Sequence, residues 1–167
     1  MTIINKVAQS GIITIDLSEL IVPGERVLFD LKPWLFEAMI LKEKDFREHI
    51  ANHDWSQYKD KFVALSCTAD AIVPTWAYML ITVKLEPVVG ELVVGDLMQL
   101  EHELFKKSLA QLNPENYRDQ RVVIKGCSTK QVPLSAYVEL TAFLTPVVKS
   151  IMYGEPCSTV PVYKRKA

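Results

Sequence analysis

The sequence predicts an α/β protein in which a mainly parallel sheet is flanked by helices and built on a duplicated β-α-β unit, with an N-terminal β-hairpin and helix ahead of it. Sliding Tyr58–Leu97 by 59 positions onto Tyr117–Pro156 matches thirteen of forty residues without a gap, among them Asp60/Asp119, Pro74/Pro133, Tyr78/Tyr137, Thr82/Thr141, Pro87/Pro146 and Gly95/Gly154. Self-similarity at a fixed period marks one supersecondary element used more than once. Each copy also places a short apolar run, Phe62–Cys67 or Val122–Cys127, ahead of a helix-length apolar segment, Pro74–Glu86 or Pro133–Thr145. Apolar strands joined by helical crossovers imply parallel pairing with right-handed connections.

In chain order, the first strands are expected at Ile12–Asp16 and Arg26–Asp30, with Val22-Pro23-Gly24 as the turn signal between them. A helical stretch begins near Pro33. Its first half, Trp34–Leu41, is almost wholly apolar and should be buried, whereas Lys42–Ile50 is charged except at Phe46 and Ile50. The first copy then reads as a strand, the polar loop Thr68–Asp70, a helix and the short strand Leu92–Val94. The second repeats this with the loop Ser128–Gln131 and the strand Ser150–Tyr153. Pro74 and Pro133 suit the first helical position, where a missing N–H costs nothing, and Pro87 and Pro146 fall just past the other ends. Between the copies, Asp96 and Gln99 form a capping-box pattern before a helix with Leu97, Leu100, Leu104, Leu109 and Leu112 on its apolar face. Glu103 and Lys107 sit at a supportive spacing on its other face.

At 167 residues, 49% hydrophobic and 23% charged, the chain reads as one ordinary globular domain, 1–167. Residues 1–54 would hold the N-terminal strands and helix, 55–112 the first repeat unit and linking helix, and 113–167 the second unit and tail. A net charge of -1 gives no electrostatic case for nucleic acid or an anionic membrane, and the basic tail Lys164-Arg165-Lys166 reads as solvated. The N-terminus lacks a leader pattern, and no stretch has the roughly 18 apolar residues of a membrane span, so a cytoplasmic protein is expected. Apolar edge strands favour a homodimer, and a protein partner is the other expectation.

In open parallel sheets ligands bind beyond the carboxyl ends of the strands. Cys67 and Cys127 close the first strands of their copies, one residue out of register, and Cys157 follows the last strand of the second copy, so the thiols are expected along one edge of one sheet. An odd cysteine count without an export signal points to reduced thiols. The helix starts at Pro74 and Pro133 would favour the thiolate that ligates metals. Asp70, three residues after Cys67, and His53, in the loop before the first copy, are candidate fourth ligands. Three thiolates with a carboxylate or imidazole suit zinc or an iron–sulfur cluster. Each thiol opens a small polar loop, although no Cys-x-x-Cys pair fixes the geometry. Free cysteine also behaves as a small buried hydrophobe. The competing reading is therefore a non-catalytic protein-interaction module with structural cysteines. A thiol enzyme, the third reading, lacks a positioned base.

Other groups carry less. Lys125–Lys130 lacks the spaced glycines of a phosphate loop, and His49 and His102 fall on helical surfaces. Glu139 and Glu155 are the carboxylates placed for acid–base work. Tyr78, Tyr137 and Trp76 read as core packing.

Ser66–Tyr78, Val123–Ser128 and Gly154–Pro161, together with Leu41–Arg47, resemble a bacterial family catalogued as domain of unknown function 2480, over the full chain. The resemblance implies no assigned activity or ligand. It does imply a gene setting near sulfur-mobilising iron–sulfur assembly, which favours a metal or cluster role accessory to that process. U-type iron–sulfur scaffolds also combine three separated cysteines with an aspartate and a histidine, but nothing else here follows their pattern.

Overall fold

The computed structural model describes residues 11–125, 132–155 and 158–166. In chain order its elements are β1 (Ile12–Asp16), β2 (Arg26–Asp30), α1 (Glu43–Asn52), β3 (Phe62–Ser66), α2 (Thr75–Leu85), β4 (Glu91–Val94), α3 (Leu97–Ala110), β5 (Arg121–Lys125), α4 (Leu134–Leu144), β6 (Ser150–Glu155) and β7 (Ser158–Lys164). They form two compact units. One runs from Pro23 to Glu103 and contains a three-stranded parallel sheet, β2-β3-β4. The other joins the described residues up to Val22 with the described residues from Leu104 onward around a four-stranded sheet, β1-β5-β6-β7. Here β1, β5 and β6 are parallel and β7 returns antiparallel to β6.

The expected N-terminal hairpin does not form. β1 pairs with β5 and β2 with β3, both in parallel, so the two strands enter different sheets. The segment between them holds a 3-10 turn at Leu17–Leu20 and is too long for a tight hairpin connection. A two-stranded ribbon would also leave Ile15 and Phe29 uncovered, whereas each is buried in the core of its own unit. The helix expected from Pro33 is likewise shorter. Lys32–Trp34 is a single 3-10 turn, and Glu37 and Ala38 hold positive φ of 52° and 54°, a conformation that interrupts any right-handed helix. Phe36, Met39 and Ile40 are exposed, with the Lys42 ammonium 3.2 Å from the centre of the Phe36 ring.

Elsewhere local signals decide the elements. Pro74 and Pro133 cap α2 and α4 one position earlier than expected, their carbonyls accepting the first helical bonds from Ala77 and Ala136. Asp96 accepts from the Gln99 N–H at 2.9 Å while the Gln99 side chain accepts from the Asp96 N–H at 3.0 Å, so the capping box ahead of α3 is complete. The buried edge of α2, Ala77, Ile81 and Leu85, packs on Val63 and Leu65 of β3. That of α4, Ala136, Leu140 and Leu144, packs on Val122 and Ile124 of β5. Burying each of the larger residues stabilises by about 1.5–3 kcal/mol.

Corresponding bonds recur 59 positions apart. Thr82 Oγ1 donates to the Tyr78 carbonyl at 2.8 Å and Thr141 Oγ1 to the Tyr137 carbonyl at 2.7 Å. The Gly90 and Lys149 N–H groups donate to the Lys61 and Gln120 carbonyls, each at 2.8 Å.

Candidate functional site

The carboxyl end of the three-stranded sheet is organised by Asp30. It is the last residue of β2, in register with Ser66 at the end of β3. One carboxylate oxygen accepts from the Lys32 N–H at 3.0 Å and the Thr68 N–H at 2.9 Å, and the other accepts from the Thr68 hydroxyl at 2.5 Å. Burial pushes this carboxyl up, but the Thr68 hydroxyl, the two N–H groups and the Lys32 charge together hold it below the ordinary range. The clamp fixes the loop leaving β3, and Cys67 is its first residue. The thiol is half-buried, with Sγ 3.9 Å from the Ala69 carbonyl. Tyr78 reaches the same place from α2. Burial foremost, and then the neighbouring Cys67 and Asp30, raise its phenol above the ordinary range.

The remaining predicted ligands have separate surroundings. Asp70 lies exposed further along the loop. His53 ends α1 inside a ring cluster, its centroid 4.7 Å from Trp55, 5.2 Å from Trp34, 5.7 Å from Tyr58 and 5.8 Å from Phe29. His53 Nε2 is 3.0 Å from the Tyr58 hydroxyl, and burial lowers its pKa against the pull of Asp54. Among the described residues, His, Cys, Asp and Glu nowhere gather in a group of three. Cys127 and Cys157 lie outside the described residues. The strands ahead of the three cysteines do not share one sheet: β3, which leads to Cys67, belongs to the three-stranded sheet, and β5 and β6 belong to the four-stranded one.

The four-stranded unit repeats part of this arrangement. Asp16 ends β1, in register with Lys125, and accepts from the Ser18 N–H at 2.9 Å and the Ser18 hydroxyl at 2.6 Å. Tyr137, on α4, is raised by burial and then by Tyr153 and Asp16. Lys125 Nζ stands 3.3 Å from Glu155 Oε1, which makes Glu155 an ion-pair partner at the strand ends. Sequence reasoning passed over the two aspartates. Their signal was available as an apolar strand closing in Asp-Leu, Asp16-Leu17 and Asp30-Leu31, with both leucines fully buried.

A second feature is the outer face of α2 and of α4. α2 exposes Thr75, Met79 and Val83, and α4 exposes Leu134, Val138 and Ala142, each set at i, i+4, i+8. Met79 is 63% exposed, Val83 68%, Leu134 77% and Val138 62%. A helix apolar on all sides is ordinarily a covered one. Among the described residues no helix is long and apolar enough to cross a membrane.

A family model described as Protein of unknown function (DUF2480) matches residues 1–165 of the chain. Neither a curated protein nor a solved structure matches.

Proposed function

The chain belongs to the DUF2480 family of proteins of unknown function, and, since that membership carries no activity, we propose a non-catalytic interaction protein, built on a duplicated β-α-β unit, that docks a second copy of itself. The observation that carries this reading is the pair of exposed, uncharged stripes on α2 and α4. Water-exposed apolar area of this kind marks interaction surfaces. A second copy supplies one stripe of each kind. Lys84 follows the α2 stripe and Glu139 flanks Val138 on α4, so α2 against the partner's α4 brings opposite charges near one another, while like-on-like pairing does not. The recurring bonds and spacing support descent of both units from one duplicated element. A reducing cytosol belongs with this reading, because the thiols then serve packing.

Sedimentation velocity tests it. Wild type is expected as a concentration-dependent dimer, and the double variant Met79→Glu/Val138→Glu as a folded monomer with unchanged circular dichroism. A monomeric wild type, or a dimer indifferent to both charges, overturns the reading.

A second reading keeps Cys67, Cys127 and Cys157, with Asp70 or His53, as ligands of zinc or an iron–sulfur cluster. In its favour, the Cys67 thiol stands half-buried where a parallel strand ends, the usual ligand position in such sheets. Against His53 as a ligand stands its bond to Tyr58. The check is metal and acid-labile sulfide content in untagged, anaerobically purified protein. Near-stoichiometric zinc or iron that vanishes in the triple Cys→Ser variant would support it, and metal-free protein would remove it.

A further inference from the structure

We propose that the four-stranded unit binds a small uncharged aromatic molecule in the cavity between α4 and strands β6 and β7. The cavity has a volume of about 360 Å³ and is bounded chiefly by Leu134, Tyr137 and Thr141 of α4, Ile151 and Tyr153 of β6, and Val162 of β7. Its volume falls within the range of ligand pockets, about 300–1,000 Å³. An apolar cavity of about 150 Å³ holds one benzene, so this one suits a two-ring molecule.

The lining decides the chemical class. Among the described residues no charged side chain borders the cavity, so an ionised ligand would lose its hydration without a counter-charge. Thr141 Oγ1 already donates to the Tyr137 carbonyl at 2.7 Å, which leaves the Tyr137 and Tyr153 phenols as the side-chain donors among the described lining residues. Those two rings meet edge-to-face, with centroids 5.9 Å apart and planes at 71°, and present both a ring face and a ring edge to a guest. Raised by burial, the Tyr137 phenol keeps its proton and can donate.

The other unit shows what builds the site. It carries Tyr78 and Thr82 at the equivalent helix positions, but its sheet ends at β4. β7 is the added element, and Val162 from it walls the open side of the α4–β6 cleft. Pro161 lies within β7, where it withholds one N–H from further strand pairing, so the strand's contribution here is its face and not its edge. Along β6 the cleft runs from Ile151, near the strand's amino end, to Tyr153, and it meets β5 at Ile124.

The experiment is titration of 2-naphthol into the ¹⁵N-labelled full chain, followed by amide shifts and, in the same samples, by sedimentation. Saturable shifts confined to Tyr137, Thr141, Ile151, Tyr153 and Val162, with no change in oligomeric state, are expected. Val162→Trp should fill the cavity and weaken binding by about tenfold or more while the melting temperature holds. Tyr153→Phe, a second and milder variant, should weaken 2-naphthol by about three- to tenfold and leave naphthalene unchanged. Shifts that do not saturate, that spread over both units, that survive Val162→Trp unchanged, or that track dissociation of a dimer overturn the proposal.

Discussion

Asp60 and Asp119, 59 positions apart, hold the same left-handed backbone, with φ of 60° and 58°. The Asp60 N–H donates to the Val88 carbonyl at 2.8 Å, and the Asp119 N–H to the Val147 carbonyl at 2.9 Å. Each aspartate thus turns the chain into an inner strand of its sheet, β3 or β5, and ties that turn to the segment leaving the following helix. The turn at Asp119 has a further tie, because Arg165 bonds both the Asp119 carboxylate and the Val147 carbonyl.

The left-handed turn predicts a graded response. Asp60→Val should cost about 1–2 kcal/mol, since a β-branched residue resists positive φ, while Asp60→Asn should be nearly neutral. Asp119→Val should cost more than Asp60→Val, because the Arg165 pair goes with it. Urea midpoints compare the three, and equal losses at both positions would sink the distinction.

Thr68→Val should cost about 1 kcal/mol by removing the hydroxyl bond to Asp30. The pH dependence follows from the lowered Asp30 carboxyl. A carboxyl depressed in the folded state stabilises above its unfolded pKa and loses that contribution as pH falls through its folded value. With the Thr68 bond gone the folded value rises, so the acid-side contribution shrinks. Carboxyl titration by NMR in both proteins reads the difference directly.

His53 should make the protein weaker in mild acid. Its pKa is lowered in the fold, so protonation favours the unfolded chain. Stability is complete above the ordinary imidazole pKa of about 6.5 and declines as pH falls from there toward the folded value. His53→Gln should flatten this part of a melting-temperature profile. A profile unchanged by the substitution would show that the ring cluster does not penalise the charged imidazole.

The cap of α3 offers a coupling test. Asp96→Ala should cost about 0.5–2 kcal/mol. Gly95 has φ of 136°, and a side chain there would collide with the Gln99 amide that completes the box. Gly95→Ala and Gln99→Ala should therefore each lose the reciprocal bond, and their combination should cost less than the sum. Full additivity in a double-mutant cycle would show that the two residues act separately.

Much of the site's frame was legible from the chain. That Cys67 stands where a parallel strand ends followed from an apolar run breaking into Thr68-Ala69-Asp70. The surroundings of His53 were not legible, because Phe29 and Trp34 reach it from far upstream in the sequence. Nor was the Asp30–Thr68 clamp, which joins residues 38 positions apart.

By itself the sequence determined the elements whose causes are local: the helices opened by Pro74 and Pro133, the capping box at Asp96 and Gln99, and the apolar strands between them. It also carried the 59-residue spacing at which those elements recur. Only the tertiary structure decided that β1 and β2 part company to enter separate sheets, and that β7 folds back beside β6 to wall a cavity. The reason is physical. An apolar strand pattern states that both faces will be covered, but backbone hydrogen bonds are the same for every neighbour, so the choice of neighbour rests on packing between residues distant in the chain.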